Sequence, residues 1–237
     1  MAETYIEPGN IVGYTKVSLV ANNFTMLGMA FEGCGVGQSV KVSDLVGDFI
    51  GDGEPGFADQ LKIWIPGGYR NFYFIDGVGE EEYDQKWFCE DDGETANDSH
   101  VIAPGEACWF IRRASGVPLT ISGQVGTNNV KIALVGNNFT MFGNPFPVEI
   151  KVKDLVGDFI GDGEPGFADQ LKVWIPGGYR NFYFIDGVGE EEYDQKWFCE
   201  DDGETANDSH VIEPGEACWF IRRGAGTWLT IPAPVIP

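Results

Sequence analysis

Residues Leu45 to Arg113 recur as Leu155 to Arg223 with two changes, Ile63 to Val173 and Ala103 to Glu213, at an offset of 110 positions. No other feature constrains the fold as much, because any structure proposed for one copy must also serve for the other. A second match, Val17–Met26 against Ile132–Met141, is offset by 115, so the first copy holds five extra residues between Met26 and Val40. A repeat of this length is a domain with its own core, longer than the roughly 20–50-residue unit of a solenoid. The divisions that follow are an N-terminal arm at 1–12, repeat one at 13–125, repeat two at 126–231 and a proline-rich tail at 232–237.

Within one repeat the apolar residues alternate or fall in short runs, and no stretch keeps helical spacing. Lys16–Ala21 and Asn23–Leu27 read as strands joined at Asn22-Asn23, and Val42–Val46 as one helical turn capped by the Ser43 hydroxyl. Gln60–Ile65 alternates, with Leu61, Ile63 and Ile65 on one face and Lys62 and Trp64 on the other. Pro66-Gly67-Gly68 turns the chain back into Asn71–Ile75 as a hairpin partner. Lys86–Cys89, Ala107–Ile111 and Pro118–Ile121 complete some seven short strands, which predicts an all-β protein of two near-identical β-sandwich or β-barrel domains.

Acidic residues outnumber basic ones, 37 to 15, for a net charge of −22. The two long duplicated stretches carry nearly all of it, so the charge belongs to the repeat and not to a tail. Such a surface repels phosphate backbones and anionic lipid, which disfavours nucleic acid and charged membranes as partners. No run approaches the roughly 20 apolar residues of a membrane helix, and no signal peptide is visible at Met1-Ala2-Glu3. Of five cysteines, Cys89, Cys108, Cys199 and Cys218 are one pair repeated, on strands that could be antiparallel neighbours. The absence of Cys-x-x-Cys spacing argues against zinc, so the expectation is one disulfide per repeat and an oxidising compartment, with Cys34 left unpaired.

The order of motifs resembles a known group. Val12-Gly13-Tyr14, a hairpin ending in Phe24 and Met26, Asp44-Leu45, the Asp59–Lys62 strand with Trp64, and Pro104–Phe110 leading into Leu119–Val125 are similar to secreted repeat proteins of verrucomicrobial and planctomycete bacteria. The resemblance implies an exported protein, extracellular or at the cell surface, and brings no known activity.

Three sets of side chains are candidate sites. Asp48, Asp52, Glu54 and Asp59, with Asp158, Asp162, Glu164 and Asp169, interleave carboxylates with glycine in a loop that could wrap calcium, although the spacing is not that of an EF-hand. The acidic runs Glu80–Asp84 and Glu90–Glu94 could hold a bridging cation. Trp64, Tyr69, Tyr73, Trp87 and Trp109, and in the second copy Trp174, Tyr179 and Tyr183, could stack on sugar rings, although tryptophans in a small sandwich are more often core. For catalysis the sequence offers little: Ser99 and His100 are adjacent and point to opposite faces of a strand, so the chain reads as no enzyme.

Finally, the arm carrying Tyr5, Ile6, Ile11 and Val12 stands before repeat one as Leu119–Val125 stands before repeat two. It imitates the last strand of a preceding repeat. A strand of that kind can add to the sheet of another copy, and a head-to-tail contact that does not close builds filaments. The expectation is a structural protein whose partner is itself, with a glycan-binding, adhesin-like module that could use calcium as the rival.

Overall fold

A computed structural model describes residues 3–7, 10–32, 39–65, 68–79, 83–92, 100–116, 118–175, 177–189, 193–202 and 209–234, with side chains from Val12 onward. Strands make up 48% of the chain and helical turns 5%, with no closed barrel. The all-β expectation holds, and the sandwich alternative is the one realised.

Repeat one contains β1 (Glu3–Glu7), β2 (Asn10–Ser18), β3 (Phe24–Gly28), β4 (Val40–Lys41), β5 (Gln60–Ile65), β6 (Gly68–Ile75), β7 (Lys86–Cys89), β8 (Val101–Ile102), β9 (Ala107–Ile111) and β10 (Pro118–Gln124). Repeat two contains β11 (Val130–Leu134), β12 (Phe139–Gly143), β13 (Ile150–Lys151), β14 (Gln170–Ile175), β15 (Gly178–Ile185), β16 (Lys196–Cys199), β17 (Val211–Ile212), β18 (Ala217–Ile221) and β19 (Thr227–Ile231). The large sheets run β3-β9-β5-β6-β7 and β12-β18-β14-β15-β16, all antiparallel. Opposite them lie β1-β2-β10 in the first repeat and β11-β19 in the second.

Between the layers sits one apolar core per repeat. In the first, Leu61, Ile63, Phe72, Trp87 and Phe110 from the large sheet meet Leu119 and Ile121 of β10. The alternation of β5 holds at Leu61 and Ile63, which are buried, with Lys62 and Trp64 half-buried between them, but Ile65 at the end of the strand is exposed. Two local expectations change. β2 and β3 do not pair with each other, because the chain switches sheets at Asn22, which takes a left-handed φ of 50° that asparagine tolerates better than most residues. Ser43 does not cap its 3-10 turn; the Asp44 carboxylate accepts the Lys41 N–H at 2.9 Å instead.

Candidate functional site

The Asp- and Gly-rich loop does gather oxygens around a cation, but the cation is an arginine. Asp59 is fully buried, and its Oδ2 accepts from Arg112 Nη1 and from Ile50 N at 2.9 Å, while Oδ1 accepts from Arg113 N at 2.7 Å. Arg112, also buried, donates further to the backbone carbonyls of Asp48 at 2.7 Å and Ser115 at 3.1 Å. Asp169, Arg222, Asp158 and Ala225 repeat the arrangement. A buried carboxylate must be paired and hydrogen-bonded, and this one is fully engaged by the protein. Asp59 and Asp169 are therefore not calcium ligands in this fold. Asp52 accepts the Glu54 N–H at 2.9 Å as a turn device, repeated at Asp162 and Glu164. Among the described residues no group of three or more His, Cys, Asp or Glu side chains is poised to hold a metal ion. Glu80–Glu82 and 93–99, which include half of the acidic runs and Ser99, lie outside the described residues.

The cysteines also contradict expectation. Cys89 ends β7 and Cys108 lies on β9, with β5 and β6 between them. Three strand spacings of about 4.8 Å place them about 14 Å apart, beyond the roughly 7 Å between Cα atoms that a disulfide spans. All four described cysteines are buried free thiols, and Cys34 falls outside the described residues. Burial, with Glu106 adding to it, pushes the Cys108 thiol up to about 12, and Cys218 shifts in the same direction for the same reason. Native protein should therefore leave these four thiols unreacted with a chromogenic disulfide at pH 8, whereas denatured protein should titrate them all; reducing agent should leave their contribution to the melting temperature unchanged.

Five of the eight candidate sugar-stacking rings hold the two repeats together. Trp64 packs edge-on against Trp219 at 5.1 Å between centroids, and Trp109 against Trp174 at 5.2 Å. Tyr69 stacks on Trp64 and accepts from Trp109 Nε1 at 3.3 Å, while Tyr179 stacks on Trp174. Met26, Ala107, Met141 and Ala217 fill the same cluster. Two backbone bonds complete the exchange: Gly28 N donates to Gly215 O at 2.9 Å and Gly143 N to Gly105 O at 3.0 Å. Each contact has its counterpart with the repeats interchanged, as across a two-fold axis. Tyr73 and Tyr183 are buried in separate satellite clusters.

The N-terminal arm is paired within its own chain. β1 lies antiparallel to β2, with Tyr5 opposite Val12 and Ile6 opposite Ile11. β2 thus has β1 on one side and β10 on the other, and among the described residues the outer edge of β1 has no strand paired to it. Beyond Val12 itself, which is exposed, the side chains of the arm are outside the described residues.

What the structure adds is a cleft, present once in each repeat and about 370 Å³ in volume. In the first repeat its rim is Ser43, Asp48, Asp76, Gln85 and Lys86, and rings of Phe49, Phe74 and Trp87 form its apolar base. Asp158, Asp186, Gln195, Phe159, Phe184 and Trp197 take the same places in the second. The three rings pack on one another at 5.1–5.4 Å between centroids. Gly47 makes room for the Phe49 ring, since a Cβ there would lie 2.9 Å from it. Gln85 and Gln195 both hold φ at 59°, the left-handed region that an ordinary side chain adopts only when its surroundings impose it. The arrangement offers two carboxylate acceptors, an amide, an ammonium and a small aromatic floor within one concavity, the composition of a site for a small polar ligand.

Neither the known protein families, nor the curated proteins, nor the solved structures contain a match to this chain. Of the rings singled out in the sequence only Trp87 reaches the cleft. Asp76 and Gln85 carry no spacing or motif signal, because the cleft joins three segments that only the sheet order brings together.

Proposed function

We propose that this chain is a non-catalytic carbohydrate-binding protein of the cell exterior with two binding sites. The observation that carries the reading is the duplicated cleft: the same carboxylates, amide and ring floor recur in both repeats. Carboxylates and an amide suit the hydroxyl pairs of a sugar, and the ring floor suits its C–H face. Two sites in one rigid chain bind a repeating polymer with an effective concentration that a single site lacks. The exterior location rests on the resemblance to exported repeat proteins, now that the cysteines no longer argue for an oxidising compartment.

Titration calorimetry with methyl glycosides, in calcium and in EDTA, tests this directly. The expected result is two sites per chain, quenching of tryptophan fluorescence, and loss of half the stoichiometry in Asp76→Ala. Glycans that bind no site on wild-type protein sink the reading. A second reading, self-association by strand addition, is favoured by one feature: the outer edge of β1, and that of β11, carry no partner among the described pairings. Regular filaments that disappear when residues 1–9 are deleted would put it first.

A further inference from the structure

The surface that joins the two repeats is built alike on both sides. Trp64, Trp109 and Tyr69 of the first repeat have Trp174, Trp219 and Tyr179 at the matching places in the second. The contacts run crosswise: Trp64 meets Trp219, Trp109 meets Trp174, and the Gly28 and Gly143 amides donate to the Gly215 and Gly105 carbonyls. Each of these contacts joins a first repeat to a second repeat, and none requires that the two belong to one polypeptide.

The covalent link across this surface is short. Val125 is buried in the core of the first repeat, and Asn129 is tied to the second, where its Oδ1 accepts the Ala233 N–H at 2.9 Å. Between these anchors Gly126 is buried, while Thr127 and Asn128 are exposed and form the hinge.

We infer that this surface also docks a second copy of the chain, and that two chains exchange repeats to form a dimer in which each first repeat sits on the other chain's second repeat. Exchange reproduces every contact of the closed chain, so concentration and the hinge set the balance between the two forms. Like-with-like docking fits less well. The position a Cβ would take at Gly105 lies 3.2 Å from Ile132 Cδ1, an atom that Val17, the matching residue of the first repeat, lacks. At Gly215 the same position is already 2.7 Å from Val17 Cγ2, and a second repeat docked there would bring the longer Ile132.

A short flexible link gives the closed chain an effective concentration of about 1 mM, so about a third of the chains should be exchanged at about 0.5 mM and about one in a hundred at about 5 µM. Return to the closed form requires the four half-buried tryptophans to be wetted first, so a dimer once formed should outlast its dilution.

The test is to unfold the full-length protein in guanidinium, refold it at about 5 µM or at about 0.5 mM, and separate the products by size exclusion with light scattering. The expected result is a dimer of twice 26.0 kDa, about thirtyfold more abundant as a share of the chains in the concentrated sample, with the tryptophan emission maximum of the monomer. Deleting Thr127 and Asn128 leaves about 3.8 Å between the Cα atoms of Gly126 and Asn129, and should make the dimer the main species at both concentrations. Gly28→Val blocks docking within and between chains alike and should give no dimer. Monomer alone at both concentrations in wild type overturns the exchange, as does a hinge-deleted chain that stays monomeric with red-shifted emission, or a dimer that survives Gly28→Val. A wild-type dimer that is lost when residues 1–9 are deleted also overturns it, in favour of strand addition at β1.

Discussion

Replacing Arg112 by leucine should lower stability by about 3–5 kcal/mol, because it leaves the fully buried Asp59 carboxylate without its counter-charge. The loss is larger than that of a surface ion pair, which is worth about 1 kcal/mol or less. Arg112 also satisfies the Asp48 and Ser115 carbonyls, and leucine satisfies neither. For a domain of this size the melting temperature of the first repeat should fall by roughly 15–25 °C. Differential scanning calorimetry should resolve the damage as an early transition that covers half the chain, and Arg222→Leu should move the other half. A shift of less than about 5 °C in either variant would show that water reaches the buried pair. The same measurement bears on binding, since the Asp48 carbonyl held by Arg112 belongs to a residue on the cleft rim.

Gly28→Val should separate the repeats. A Cβ at Gly28 would lie 2.3 Å from the Glu216 carbonyl oxygen and 2.7 Å from the Gly143 Cα, and both are backbone atoms that no side-chain rotation can move aside. Gly143 faces the same limit, with the Gly28 Cα at 2.2 Å. Overpacking of this kind costs about 1–3 kcal/mol where the structure can relax. Here relaxation means parting of the domains, which wets Trp64, Trp109, Trp174 and Trp219. The expected result is a red-shifted tryptophan emission and a larger hydrodynamic radius with strand content retained by circular dichroism. Gly56→Ala is the control: nothing lies within 4 Å of its Cβ position, and it should stay within about 0.5 kcal/mol of wild type. An unaltered emission maximum in Gly28→Val would mean that the two repeats do not depend on this crossing.

The strands were legible in the sequence where period-two alternation met a turn signal, as in β5 and β6 around Pro66-Gly67. Sheet order was not, and most corrections follow from that one gap. A reading that lets consecutive strands pair puts Cys89 beside Cys108. The chain instead threads β9 between β3 and β5, because a core flanked by two layers rewards burying Phe110 at the centre of the sheet. Composition could mark Asp59 as a carboxylate in a turn-rich loop, yet its partner Arg112 is 53 residues away, and only the fold makes them neighbours. Trp64 and Trp109 look alike in sequence to rings that bind sugar. They are half-buried for a reason no single repeat reveals, since the surface that covers them is the other copy. The cleft fared worst because its residues come from three separate segments, and its strained glutamine reads as an ordinary polar residue.

The matched contacts across Gly28 and Gly143 carry one more implication. Two separate subunits meeting about a two-fold axis are encoded once, so every change appears in both halves and the pair comes apart on dilution. Carried in one polypeptide, the same contacts hold at any concentration, and each half can be altered alone. Lys153 opposite Ser43, the exposed Trp228 where the first repeat has Pro118, and the five residues added before Val40 are alterations of that kind. A fused pair can therefore keep a symmetric scaffold while its two faces come to recognise different things.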